Sequence, residues 1–163
     1  MIRTTLACAV AVLAIPAAAS AAPSTADFLA KASASDKFEV AAGKLAEIHG
    51  GSAAVKKFGK EMTIDHTKST KMVKAAVKAG HLPAPPPPMF NEQQKAAIAD
   101  LQGKKGKAFD DAYIAGQKDA HQQALELMQS YAQDGDNPKL KATAGKIAPV
   151  VQMHIDMLNK MGG

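Results

Sequence analysis

The 163-residue chain contains no tryptophan, a single cysteine and few aromatic residues of any kind. The cysteine, Cys8, lies in an N-terminal segment that reads as a leader, so the chain beyond it has no thiolate to act as nucleophile, disulfide partner or metal ligand. β-Branched runs of strand length are missing, which argues against a sheet. Missing too, after the leader, are the roughly 20 apolar residues that a membrane-spanning helix requires. There is no Gly-x-Ser-x-Gly elbow and no glycine-rich phosphate loop, so nucleophilic hydrolysis and nucleotide chemistry have no motif to rest on. Arginine occurs once, at Arg3. Beyond it every positive charge is a lysine, which suits a solvated surface and speaks against bidentate recognition of nucleic acid.

What is present begins with the leader itself. Arg3 supplies a short positive start, Leu6 to Ile15 is an apolar run, Pro16 breaks it, and Ala19-Ser20-Ala21 offers small residues for cleavage before Ala22. These features predict a secretory signal peptide over residues 1–21 and one exported domain over residues 22–163. The expected location is the periplasm, with outer-membrane association as a further option. Too little apolar sequence precedes Cys8 for a lipoprotein anchor. Lysines exceed the 15 acidic residues in the remainder, and Lys56-Lys57 and Lys104-Lys105 read as solvated faces, with a weak, salt-sensitive attraction to the envelope as the alternative.

Alanine, lysine, methionine and glutamine abound, and all favour helix. A first helix is expected from Ser24 or Thr25 to about His49, ended by Gly50-Gly51. Its main apolar stripe is Phe38, Ala41, Leu45 and Ile48, with Phe28, Ala32, Ser35, Glu39, Ala42 and Ala46 beside it. A second helix opens at Ser52 and closes at Gly80, burying Val55, Phe58, Gly59, Met62, His66, Ser69, Val73 and Val77. His81 to Phe90 holds five prolines, four of them consecutive, and reads as a polyproline connector. A short helix capped by Asn91 and Gln94 follows, interrupted by Gly103-Lys104-Lys105-Gly106. The fourth runs from about Lys107 to Asp134 and the fifth from Asn137-Pro138, with Pro149 expected to kink it. The predicted fold is all-α: a ferritin-like four-helix bundle of two hairpins, with a proline-rich crossover and one short extra helix, or the same helices in up-down order.

Three histidines stand near the middle of three different predicted helices: His66, His121 and His154. Neutral imidazoles from several helices, completed by a carboxylate, suit zinc, copper or iron. Glu39 and Asp65 are the carboxylate candidates, and Asp110, Tyr113 and Gln117 the candidates to orient the rings by hydrogen bonds. The alternative is a buried hydrogen-bond network with no ligand. The Glu-x-x-His pairs of di-iron oxidases are absent, because Thr63, Lys118 and Val151 stand three residues before the three histidines. Met153, Met157 and Met161 run at four-residue spacing beside His154, either as soft ligands for copper or as flexible core packing.

The Gly43-Lys44-Leu45-Ala46 run with Phe28 and Glu39 comes first, and Met62-Thr63-Ile64-Asp65-His66-Thr67 follows it. Phe109-Asp110-Asp111-Ala112-Tyr113 with His121, and Ala148-Pro149 with His154, complete the series. In that order these residues resemble the exported family catalogued as domain of unknown function 4142, over nearly all of the chain beyond the leader. The resemblance implies a ferritin-like helical fold and export, with some members labelled outer-membrane proteins, and it supplies no activity. Its recurring polar positions fall here on Glu39, Asp65, His66, Asp110, Tyr113, His121 and His154. The expected function is non-enzymatic metal binding or envelope stress protection; the alternative is a structural or interaction module of the envelope.

Overall fold

The computed structural model describes residues 23–162, built from five helices: α1 (Thr25–His49), α2 (Ala53–Ala79), α3 (Glu92–Gln102), α4 (Gly106–Asp134) and α5 (Pro138–Met161). The leader expected over residues 1–21, with Cys8, lies outside the described residues. Side chains that accept from otherwise orphaned N–H groups start four of the helices. Ser24 accepts from Asp27 N–H, Ser52 from Val55 N–H, and Asn137 from Lys139 and Leu140 N–H, while Asn91 and Gln94 form a reciprocal capping box. α4 has no such cap at Lys105. Its start is set instead by Gly106, whose φ of 60° glycine adopts without steric cost, and which bridges to Gly50. Among the described residues no helix is long and apolar enough to cross a membrane.

Contacts at the helix ends fix the chain's path. The end of α1 meets the start of α4 through the Gly50–Gly106 bridge, and Asp110 accepts from the N–H groups of Gly51 and Ser52, both at 2.8 Å. At the opposite end Thr25, which begins α1, lies 2.7 Å from the Tyr131 hydroxyl near the end of α4, and Phe28 stacks on Tyr131 with ring centroids 4.0 Å apart. α1 and α4 are therefore antiparallel, and residues 80–105 must travel from the finish of α2 back to the end where it began. Extended proline-rich chain at about 3 Å per residue makes that journey economically. Lys37 Nζ donates to the Pro88 carbonyl at 2.9 Å and Phe90 packs edge-on against Phe38, which hold the connector against α1. α3 completes the return, packed against α1 and α4.

The core has two apolar ends. One gathers Phe28, Leu29, Ala32, Val73, Val77, Met128, Tyr131, Leu140 and Val151 among others. The other gathers Phe38, Ala42, Ala46, Val55, Phe58, Met62, Leu101, Phe109, Tyr113 and Leu158. Between them each of α1, α2, α4 and α5 contributes buried polar residues: Asp36 and Glu39, His66 and Ser69, Gln117 and His121, and His154.

The stripe expected to lead α1 is corrected by the structure. Of that stripe Phe38 is buried, but Ile48 is 73% exposed and Ala41 and Leu45 only half-buried, while Phe28, Ala32, Glu39, Ala42 and Ala46 on the neighbouring stripe are buried. The reason is close helix contact. A methyl placed on Gly43 would lie 2.6 Å from the Gly59 carbonyl oxygen, and one on Gly59 would lie 2.6 Å from Ala46 Cβ. Small residues on this face let α1 and α2 approach, which outweighs the larger apolar area of the other stripe. α5 continues through Pro149 as one helix.

Candidate metal centre

The polar layer is built from rings that each pair one nitrogen with an acceptor and leave the other without a protein partner. His66 Nδ1 lies 2.9 Å from Asp36 Oδ1, whose second oxygen accepts from Thr70 Oγ1 at 2.9 Å. His121 Nδ1 donates to the Gln117 carbonyl one turn back, at 3.0 Å. His154 Nε2 lies 3.1 Å from Asp65 Oδ2. A carbonyl can only accept and a carboxylate prefers to, so these three nitrogens carry the protons. The remaining ones, Nε2 of His66, Nε2 of His121 and Nδ1 of His154, are buried and have no protein hydrogen-bond partner.

The rings are neighbours in space. Their centroids lie 5.7 Å (His66–His121), 5.8 Å (His66–His154) and 5.3 Å (His121–His154) apart, and one ligand atom from each lies within 4.8 Å of the others. Phe58 covers His121 and His154 from the apolar end. All three residues are 5% exposed or less. This group can hold a metal ion.

Electrostatics separates the rings. Burial pushes His121 down to about 3, and the neighbouring His66 and His154 push the same way, so it is neutral at physiological pH. Burial likewise lowers His154, against the opposing pull of Asp65. At His66 burial also favours the neutral ring, but the Asp36 hydrogen bond and the charges of Glu39, Asp36 and Asp65 outweigh it and hold its pKa above the ordinary value. Glu39, fully buried, is raised to about 6 by burial, an effect partly offset by His66 and by a hydrogen bond from Gln117.

Neither carboxylate expected from the sequence joins the three-histidine group. Glu39 Oε1 lies 3.9 Å from His121 Nδ1, on the outward side of that ring, and its Oε2 is unpartnered. Asp65 sits behind His154 and forms a second group with His154 and Glu61, in which Glu61 and Asp65 are half-buried. Of the residues expected to orient the rings, Gln117 does so through its carbonyl. Tyr113 is buried against Phe58 and Phe109 with its hydroxyl unpartnered, and burial raises its pKa well above the ordinary value. Asp110 instead ties α4 to the α1–α2 turn.

Two acids were not foreseen. Asp36 lies one position past the stripe that was followed, and Glu61 four residues before Asp65 is one turn away on the same helix face. That second spacing was a legible signal. The methionine series does not reach the centre: Met153 is 43% exposed, and Met157 and Met161 pack at the apolar end beside Leu158. A groove of about 850 Å³ between α1, α2 and Pro85–Pro88 is lined by Asp36 and Thr70, the outer side of the His66 hydrogen bond, and not by the three histidines.

A family model described as a domain of unknown function (DUF4142) matches residues 10–161, and the chain belongs to that family. No curated protein and no solved structure matches it.

Proposed function

We propose that this chain is an exported, ferritin-like four-helix bundle that binds a transition metal through His66, His121 and His154 without catalysing a reaction. The observation that carries the reading is the pairing of each ring. One nitrogen is held by a carboxylate or carbonyl, and the other is left without a protein partner. A buried acceptor without a partner costs about 1–3 kcal/mol, and one bound cation would satisfy the three neighbouring ring nitrogens together. Held imidazoles with free nitrogens are what a metal centre needs, since the outer hydrogen bond sets tautomer and ring orientation.

Three neutral nitrogen donors suit zinc, copper or iron. The residues do not match a di-iron oxidase, which draws most of its ligands from carboxylates. An ion bound among residues this buried is shielded from solution, the chemistry that protection of the envelope against metal stress requires. The path of the connector supports the ferritin-like crossover over up-down order. The leader composition supports export to the periplasm, with the lysine-rich surface available for weak envelope association.

The reading is tested by thermal unfolding with and without zinc, copper(II) or iron(II). A ligand that binds the fold alone stabilises it by about 2.7 kcal/mol at a hundredfold excess over Kd, and so raises Tm. The rise should vanish in His154→Ala. No rise with any of the three ions returns the histidines to a structural network.

A further inference from the structure

His154 faces two sets of donors. Its Nδ1 is the unpartnered nitrogen of the inner layer, while its Nε2 points to Asp65, whose side chain is 25% exposed. Beside Asp65 on α2 stands Glu61, and one ligand atom from each of Glu61, Asp65 and His154 lies within 4.8 Å of the others. Beyond Arg3 every positive charge is a lysine, yet among the described residues Glu61 and Asp65 have no lysine within ion-pair distance; the lysine pairs fall on Glu92, Asp100 and Asp111. Two carboxylates one turn apart, without a lysine partner and backed by a buried imidazole, offer two oxygen donors and one nitrogen donor to a cation.

We propose that His154 serves two ions, its Nδ1 completing the inner site with His66 and His121 and its Nε2 completing an outer site with Glu61 and Asp65. The proposal rests on the inner site read above. Two oxygen donors and one nitrogen donor suit a divalent zinc or copper ion. The outer ion takes the place of the proton that Nε2 shares with Asp65, and that proton leaves to solvent. The two sites then have one imidazole ring in common, so each senses the occupancy of the other. The half-buried outer site also lies where an ion from solution would first meet the buried one.

Copper(II) is the probe, because two copper(II) ions joined through one imidazole ring couple magnetically and lose paramagnetic signal. The purified protein should take up two equivalents, with the paramagnetic resonance intensity rising to the first and falling as the second binds. Glu61→Ala, at a half-buried position that leaves the Asp65 contact with His154 in place, should take up one equivalent and keep full intensity. One equivalent in both proteins would overturn the bridged pair and leave the inner site standing. Two equivalents with additive intensity would overturn the shared ring. No uptake by either protein would overturn both readings together.

Discussion

Asp36 and His66 stand thirty positions apart in the chain, yet Oδ1 of one lies 2.9 Å from Nδ1 of the other inside the core. With Thr70 holding the second carboxylate oxygen, the ring has no freedom to turn its Nε2 away from His121 and His154. Removal of a carboxylate behind a ligating histidine lowers metal affinity about 10–100-fold. Asp36→Ala should therefore keep the stoichiometry of the inner site and weaken it by that factor, as read by competition with a chromophoric chelator. Unchanged affinity would reduce Asp36 to packing.

Acid should destabilise the metal-free protein through His121. Its folded pKa is about 3 against an ordinary 6.5, so between those values the unfolded chain binds a proton that the fold does not, and stability falls as pH falls. Glu39 acts oppositely: raised to about 6, it takes up a proton in the fold first and so favours folding as pH drops from about 6 to 4.5. His66, raised, also contributes stability at low pH that is lost as pH rises through its folded value. Urea unfolding at pH 7 and pH 5 should show a smaller acid loss in His121→Gln than in the parent chain. An equal loss would mean that His121 is charged in the fold.

The approach of α1 to α2 rests on Gly43 and Gly59. Gly59→Ala puts a methyl 2.6 Å from Ala46 Cβ and from the Gly43 carbonyl, both on a packed helix with no flexible end to yield. Overpacking of this kind costs about 1–3 kcal/mol. Since Glu39 and Asp36 ride on α1, the same substitution should also loosen metal binding. Wild-type stability in denaturant titration would contradict the close packing.

Asp110 separates architecture from site. Asp110→Ala leaves the N–H groups of Gly51 and Ser52 without their acceptor and should cost about 1–3 kcal/mol. Metal stoichiometry should be untouched. A lost metal site in a folded Asp110→Ala protein would place this residue at the centre after all.

Helix boundaries were legible because local chemistry sets them: Ser52, Asn91 and Asn137 cap where they were read to cap, and every residue of the α2 stripe is buried. α1 misled because its larger apolar residues and its packed face are different faces, and the deciding term, backbone approach at Gly43 and Gly59, is a property of two helices together. The histidine layer was legible from mid-helix position alone. Its carboxylates were not, since Asp36 reaches His66 only once the α1–α2 register is known, and Asp110 is claimed by a turn that folds against α4. Proximity in sequence placed Asp65 next to His66, whereas in space it belongs to His154.

His66 Nε2, His121 Nε2 and His154 Nδ1, the ring nitrogens without protein partners, are the proposed metal ligands. Plasma mass spectrometry on untagged protein purified without chelator, beside a His66→Ala/His154→Ala double variant, tests this assignment most directly. At least one equivalent of zinc, copper or iron is expected in the parent protein, and none in the variant. Parent protein without metal, and unable to take any up from added zinc, copper or iron, would contradict it.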